Sequence, residues 1–353
     1  MIDTDSTIRI RPAPARSSRP LLLGAAALVA AAAGGGAAWW LLRPAPAPPG
    51  IAVPAVPPPM PETQRPTEAV PPPPALLPTA LPRPPAPALE AATPRRTFRE
   101  ILAQQADEPV LVRLAENPRV FVADFPTLAA QAAALNRVAA LIEKAHAPRD
   151  RVLTEAELGR LIAEGSQPAD QYYLGHNYRG EDLARFFALL TRQGLPRRPE
   201  EARVEAWLAE MRRQVPDGEV ALITIPRAGG VVDGPARAAI LQHEIAHGFY
   251  FVDPLFAGYV RRTWSERFPP AVREAFRRFL AGEGYDVTNE DMVINESMAY
   301  LLFTPDPRFF SPSMVGLDAE AVEGLRALLR PGVPEALRPL MVPPPAVTPA
   351  AAQ

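Results

Sequence analysis

Two histidines, His243 and His247, stand four residues apart, and Glu244 directly follows the first of them. On a helix, positions i and i+4 share one face with their β-carbons about 5–6 Å apart, so both imidazoles can converge on one metal ion. Glu244 lies beside that ion without binding it and is placed to take a proton from water. This arrangement suits metal-assisted hydrolysis, with His243 and His247 as ligands and Glu244 as the catalytic base. The chain has no cysteine, so a metal here must be held by His, Asp or Glu. Zinc is the ion expected for such a donor set.

The elements around the pair are arranged to present it. Residues 219–225 read as a strand, with Val220, Leu222 and Thr224 on one face and Ala221, Ile223 and Ile225 on the other, so it is expected to be buried on both faces or to flank a cleft. A Gly-containing loop follows, and then Asp233-Gly234-Pro235 opens the helix that carries the histidines. Asp233 serves as its cap and Pro235 sits in its first turn. Gly248 is expected to let the chain turn away after the second histidine.

Strand, HExxH helix and a downstream acidic residue together resemble the zincin metallopeptidases. In the gluzincin branch the third ligand is a Glu on a second helix, often preceded by Asn. Asn295-Glu296 within a helix over 289–303 fits that description and makes Glu296 the first choice. An otherwise apolar helix also needs a partner for a buried carboxylate, which a metal supplies. Asp253, six residues after His247, is the rival, at the place where the metzincin branch has its third ligand. Asp253-Pro254 also reads simply as a helix cap followed by Pro. The resemblance further implies a side chain that stabilises the developing oxyanion, and His176, Tyr172 and Tyr300 are the candidates. Tyr300, four residues after Glu296, shares its helical face. The acidic first turn Asn289-Glu290-Asp291 is expected to compensate the helix dipole, and His146 is given no catalytic role.

The rest of the chain sets where this chemistry would occur. Residues 21–42 carry no charge, and at about 1.5 Å per residue they are long enough for a hydrocarbon core of roughly 30 Å. Arg9, Arg11, Arg16 and Arg19 precede that stretch, and Trp39 and Trp40 close it. The bias predicts residues 1–20 in the cytoplasm and a single-pass anchor in a bacterial inner membrane, with the C-terminal domain in the periplasm or outside the cell. A cleaved signal peptide is the competing reading, disfavoured by the length of the apolar stretch. The chain's 46 prolines concentrate in residues 43–95, a polyproline-type linker in composition, and residues 343–353 form a similar tail.

Between them, residues 96–342 are expected to form one helix-rich α+β domain, zincin-like, with a small sheet. Helices are predicted in 125–145, after the Thr154/Glu157 capping box, and through Leu183, Phe186, Phe187 and Leu190 up to Gly194. Lys+Arg at 37 against Asp+Glu at 39 leaves no electrostatic footprint for nucleic acid. The expected partner is a peptide or protein substrate, including cell-wall peptide. A non-catalytic envelope binding or scaffold protein is the alternative.

Overall fold

The computed structural model describes residues 92–163 and 174–343. The expected membrane segment (21–42), nearly all of the Pro-rich linker, Tyr172 and the C-terminal tail beyond 343 lie outside the described residues.

Five strands form one mixed sheet: β1 (Arg95–Arg96), β2 (Val110–Leu114), β3 (Val120–Phe125), β4 (His176–Arg179) and β5 (Ala221–Pro226). Their spatial order is β1-β2-β3-β5-β4. β3 and β5 run parallel in the centre, with Val122 opposite Ile223, and β2 and β4 pair antiparallel to them on either side. Parallel strands with both faces covered read as continuous apolar runs, as VFVADF and ALITIP nearly do.

Three short 3-10 helices after residue 311 and ten α-helices make up the other elements of the described residues: α1 (Phe98–Ala103), α2 (Leu128–Ile142), α3 (Glu155–Ala163), α4 (Gly180–Arg192), α5 (Pro199–Gln214), α6 (Gly234–Val252), α7 (Pro254–Arg267), α8 (Pro270–Glu283), α9 (Glu290–Phe303) and α10 (Ala319–Leu329). The architecture is helix-rich α+β around a small mixed sheet, as expected. Alternation along the strands splits the core in two. Phe121, Ala123, Tyr178 and Leu222 pack with α2, α4 and α5 on one face. Val112, Val122, Ile223 and Ile225 pack with α6 and the helices beyond it on the other.

Two local expectations change. The helix predicted over 125–145 begins at Leu128, because Phe125 still belongs to β3 and Thr127 caps the new helix through Ala130 N–H. Gly248 does not turn the chain: α6 runs on to Val252. A β-carbon at Gly248 would stand 2.7 Å from Val120 Cγ1, so the glycine lets α6 lie close against β3.

Opposite the sheet, α6 packs against α9, whose residues 293–303 are all buried. The first turn of α9 is tied to its surroundings by charge. Asp291 accepts from Tyr250 and Arg261 and pairs with Arg179 of β4, while Glu290 accepts from Trp264 and pairs with Arg277. These acidic residues therefore brace α9 against α6, α7, α8 and the edge strand, in addition to any effect on its dipole. At the start of α6, Arg237 is buried and makes a two-pronged pair with buried Asp124 at the end of β3, and it also donates to the Ile101 and Gln104 carbonyls.

Candidate metal centre

The helix that carries the histidines starts as its sequence dictates. Asp233 accepts from Ala236 N–H at 2.8 Å, and Pro235 occupies the first turn. Ten residues on, His243 and His247 point from one face of α6 towards α9. Their Nε2 atoms are 2.9 Å apart. Glu296, from α9, brings Oε2 to 3.4 Å from His243 Nε2 and Oε1 to 3.5 Å from His247 Nε2. One donor atom from each of the three lies within 4.8 Å of the others, a spacing that a single ion can span. The two histidines are 0 % exposed and Glu296 is 2 % exposed.

Hydrogen bonding fixes which nitrogen of His243 is available. Thr304 donates its one hydroxyl hydrogen to the Ala299 carbonyl, 3.0 Å away. Its oxygen can then only accept from His243 Nδ1, at 2.9 Å, so Nδ1 carries the hydrogen and Nε2 presents its lone pair. This is the tautomer a metal requires, held by a neighbour on the far side of the ring.

Charge is distributed accordingly. Burial lowers the His243 pKa to about 4, only partly offset by Glu296. For His247, burial also acts to lower the pKa, but the Glu296 carboxylate outweighs it, helped by Glu244 and Asn295, and raises it to about 9. Burial pushes Glu296 up, yet the two imidazoles pull it below the ordinary carboxylate value. The shared hydrogen between the rings thus belongs to His247. A divalent cation bound by the same three side chains would displace that proton, as deprotonated ligands require.

Glu244 is 0 % exposed and faces the sheet edge. Asn177 of β4 donates to its Oε2 at 3.0 Å. At Gly175, just before β4, a β-carbon would come 2.6 Å from Glu244 Oε1, so the absence of a side chain there is what admits the carboxylate. A recess of about 100 Å³ reaches Glu296 from outside, lined by Asn177, Arg179, Phe251, Asp291 and Asn295 among others.

The expected site residues separate into groups. His243, His247 and Glu296 converge, and Glu244 stands on the same helix. Asp253 is not in the group: it caps α7, accepting from Leu255 and Phe256 N–H at 3.0 and 3.1 Å. His176 is a correction. It pairs with Thr224 and shares a face with Tyr178, whose hydroxyl lies 2.8 Å from its Nδ1, whereas Asn177 on the opposite face meets Glu244. Period-2 alternation in β4 therefore turns His176 away from the centre. Burial, with a smaller contribution from Lys144, depresses its pKa to about 3. Tyr300 is adjacent: its ring stands edge-on to His243 at 4.9 Å and is enclosed by Phe279 and Phe310.

Three contributors were not anticipated. Asn177 lies in an aromatic and polar stretch just before a helix, and Thr304 is the single polar residue after an apolar run. Tyr285, which donates to Glu296 Oε2 at 2.9 Å, follows a glycine in a turn. Only for Asn177 was there a usable signal, since HNYR alternates in the period of a strand. No protein-family model, curated protein or solved structure matches the chain, so the centre is defined by its own geometry.

Proposed function

We propose that this protein is a zinc-dependent hydrolase, a zincin-like metallopeptidase, with His243, His247 and Glu296 as ligands and Glu244 as general base. The observation that carries the reading is the convergence of those three buried donors within 4.8 Å beside a carboxylate that immediately follows one of them in sequence. The donor set fits the ion. Two neutral-type imidazole nitrogens and one carboxylate oxygen are the ligands of catalytic zinc, and Thr304 holds His243 in the tautomer that donates through Nε2.

Zinc, when bound there, supplies Lewis acidity that polarises a carbonyl and makes water easier to deprotonate. The protein's own groups do the rest. Glu244 accepts a proton from the attacking water and returns it to the amine nitrogen as the C–N bond breaks. Asn177, by donating to Glu244 Oε2, orients that carboxylate. The recess lined by Asn177, Arg179 and Asn295 opens onto Glu296 and marks the side from which a substrate would approach.

The uncharged stretch 21–42, preceded by Arg9, Arg11, Arg16 and Arg19, supports placing the enzyme on a bacterial inner membrane, with the catalytic domain periplasmic. Protein or cell-wall peptide is then the substrate within reach. The test is zinc content and peptide-library cleavage by the full-length chain. Glu244→Gln should keep near-stoichiometric zinc and lose hydrolysis, while His247→Ala and Glu296→Ala lose zinc and Asp253→Ala keeps it. Zinc content that none of these changes alters would overturn the reading.

A further inference from the structure

Glu296 reaches the centre with its two oxygens in unlike surroundings. Oε2 accepts from Tyr285 at 2.9 Å and stands 3.4 Å from His243 Nε2. Oε1 stands 3.5 Å from His247 Nε2 and takes no part in the tyrosine contact. A hydroxyl hydrogen on one carboxylate oxygen occupies one of its lone pairs and draws charge from it, which leaves the other oxygen the better donor.

Tyr285 is held where it can do this. It follows Gly284, whose φ of 94° ends α8 in the left-handed conformation. Its N–H donates to the Leu280 carbonyl at 3.0 Å, its own carbonyl accepts from Val287 N–H at 2.9 Å, and its backbone bridges to Lys144. The side chain is 2 % exposed, and its hydroxyl, besides reaching Glu296, stands 3.4 Å from that of Tyr300.

Resting on the metal-centre reading above, we propose that Tyr285 is a positioning residue that makes Glu296 a one-oxygen ligand, donating through Oε1 while Oε2 stays bonded to the tyrosine. The consequence is a free coordination position. Two imidazoles and one carboxylate oxygen fill three corners of a tetrahedron and leave the fourth for water or substrate, whereas a carboxylate bound through both oxygens would fill it. Tyr285 thus preserves the position at which the chemistry must occur.

The decisive experiment uses the full-length protein loaded with zinc or cobalt. In wild type, the zinc-loaded minus zinc-free infrared difference should show widely separated antisymmetric and symmetric carboxylate stretches, the signature of one-oxygen binding. Tyr285→Phe, which keeps the ring and removes the hydroxyl, should narrow that separation. It should also weaken the visible absorption of the cobalt form as coordination number rises, and lower zinc affinity about 10-fold or more. A narrow separation in wild type overturns the proposal whether or not the variant folds. So does a folded Tyr285→Phe protein with unchanged cobalt spectrum and zinc affinity. Wild-type protein that takes up neither ion overturns the metal-centre reading itself, and this inference falls with it.

Discussion

Replacing Thr304 by Val tests whether the His243 tautomer is set from behind. Val keeps the branched shape at a position only 1 % exposed, and removes the one group that accepts from His243 Nδ1. His243 is itself 0 % exposed, so water cannot substitute. A buried donor left without an acceptor costs about 1–3 kcal/mol. The ring has one escape: the hydrogen can move to Nε2, 3.4 Å from Glu296 Oε2, provided His247 gives up the hydrogen it directs at that atom from 2.9 Å. That tautomer removes the lone pair the metal needs, so the cost reappears when zinc binds. Loss of such an outer partner typically weakens binding about 10–100-fold, which corresponds to about 1.4–2.8 kcal/mol. Titration of zinc against a chromophoric chelator, for wild type, Thr304→Val and Thr304→Ser at one pH, measures this directly. Ser retains the hydroxyl and should recover most of the affinity. Equal zinc affinity in wild type and Thr304→Val would refute the argument, and so would a Ser variant as weak as the Val one.

Three other changes probe separate parts of the design. Gly175→Ala should force the Glu244 carboxylate aside, since the new carbon would lie 2.6 Å from Oε1 and 2.9 Å from Cγ; turnover should fall about 100-fold with zinc content unchanged, and unaltered turnover would show that Glu244 has room to spare. Arg237→Met strands the buried Asp124 carboxylate, whose pKa burial already raises against the pull of Arg237; urea titration should show a loss of about 3–5 kcal/mol, recovered only in part by adding Asp124→Leu because the Ile101 and Gln104 carbonyls stay without their donor, and an unmoved midpoint would contradict this. Arg308, then Ala236 N–H, hold Asp233 at about 2, below its ordinary 3.8. Because the folded-state value is depressed, the stabilisation is full above 3.8 and fades as pH falls through about 2. The difference in thermal midpoint between wild type and Arg308→Met should therefore be constant from neutral pH down to that range and close below it; a difference that persists in strong acid would point to packing instead.

The convergence of His243, His247 and Glu296 is more legible in the sequence than the pairing of the strands is. The spacing of His243 and His247 and the isolation of Glu296 among Val293, Ile294, Met298 and Leu301 are local facts, and helical periodicity converts them into a shared face. What stayed hidden depends on contacts between distant segments. β2 and β3 are short apolar runs whose period cannot separate strand from helix, and only pairing with β5 decides them. His176 was a plausible participant as a residue type, yet one step of strand alternation gave the inward position to Asn177 instead. Tyr285 and Thr304 belong to no motif, because a single hydroxyl acquires its role only when folding brings it to a ring or a carboxylate. Gly248 looked like a stop signal, and proved to be a point of close approach because β3 lies directly beneath it.

Helix α9 has a bearing on how this protein moves. With residues 293–303 all buried, it has no solvent face along most of its length, and its first turn is tied by Asp291 and Glu290 to four neighbouring elements. Amides in such a helix exchange with solvent only through opening events that approach global unfolding, while exposed helix ends exchange through local fraying. Hydrogen exchange should accordingly rank the backbone around Glu296 among the slowest in the chain. Glu296 is then set on a backbone that opens only rarely, and any adjustment of the recess must come from its other wall, along Asn177 and Arg179 of β4.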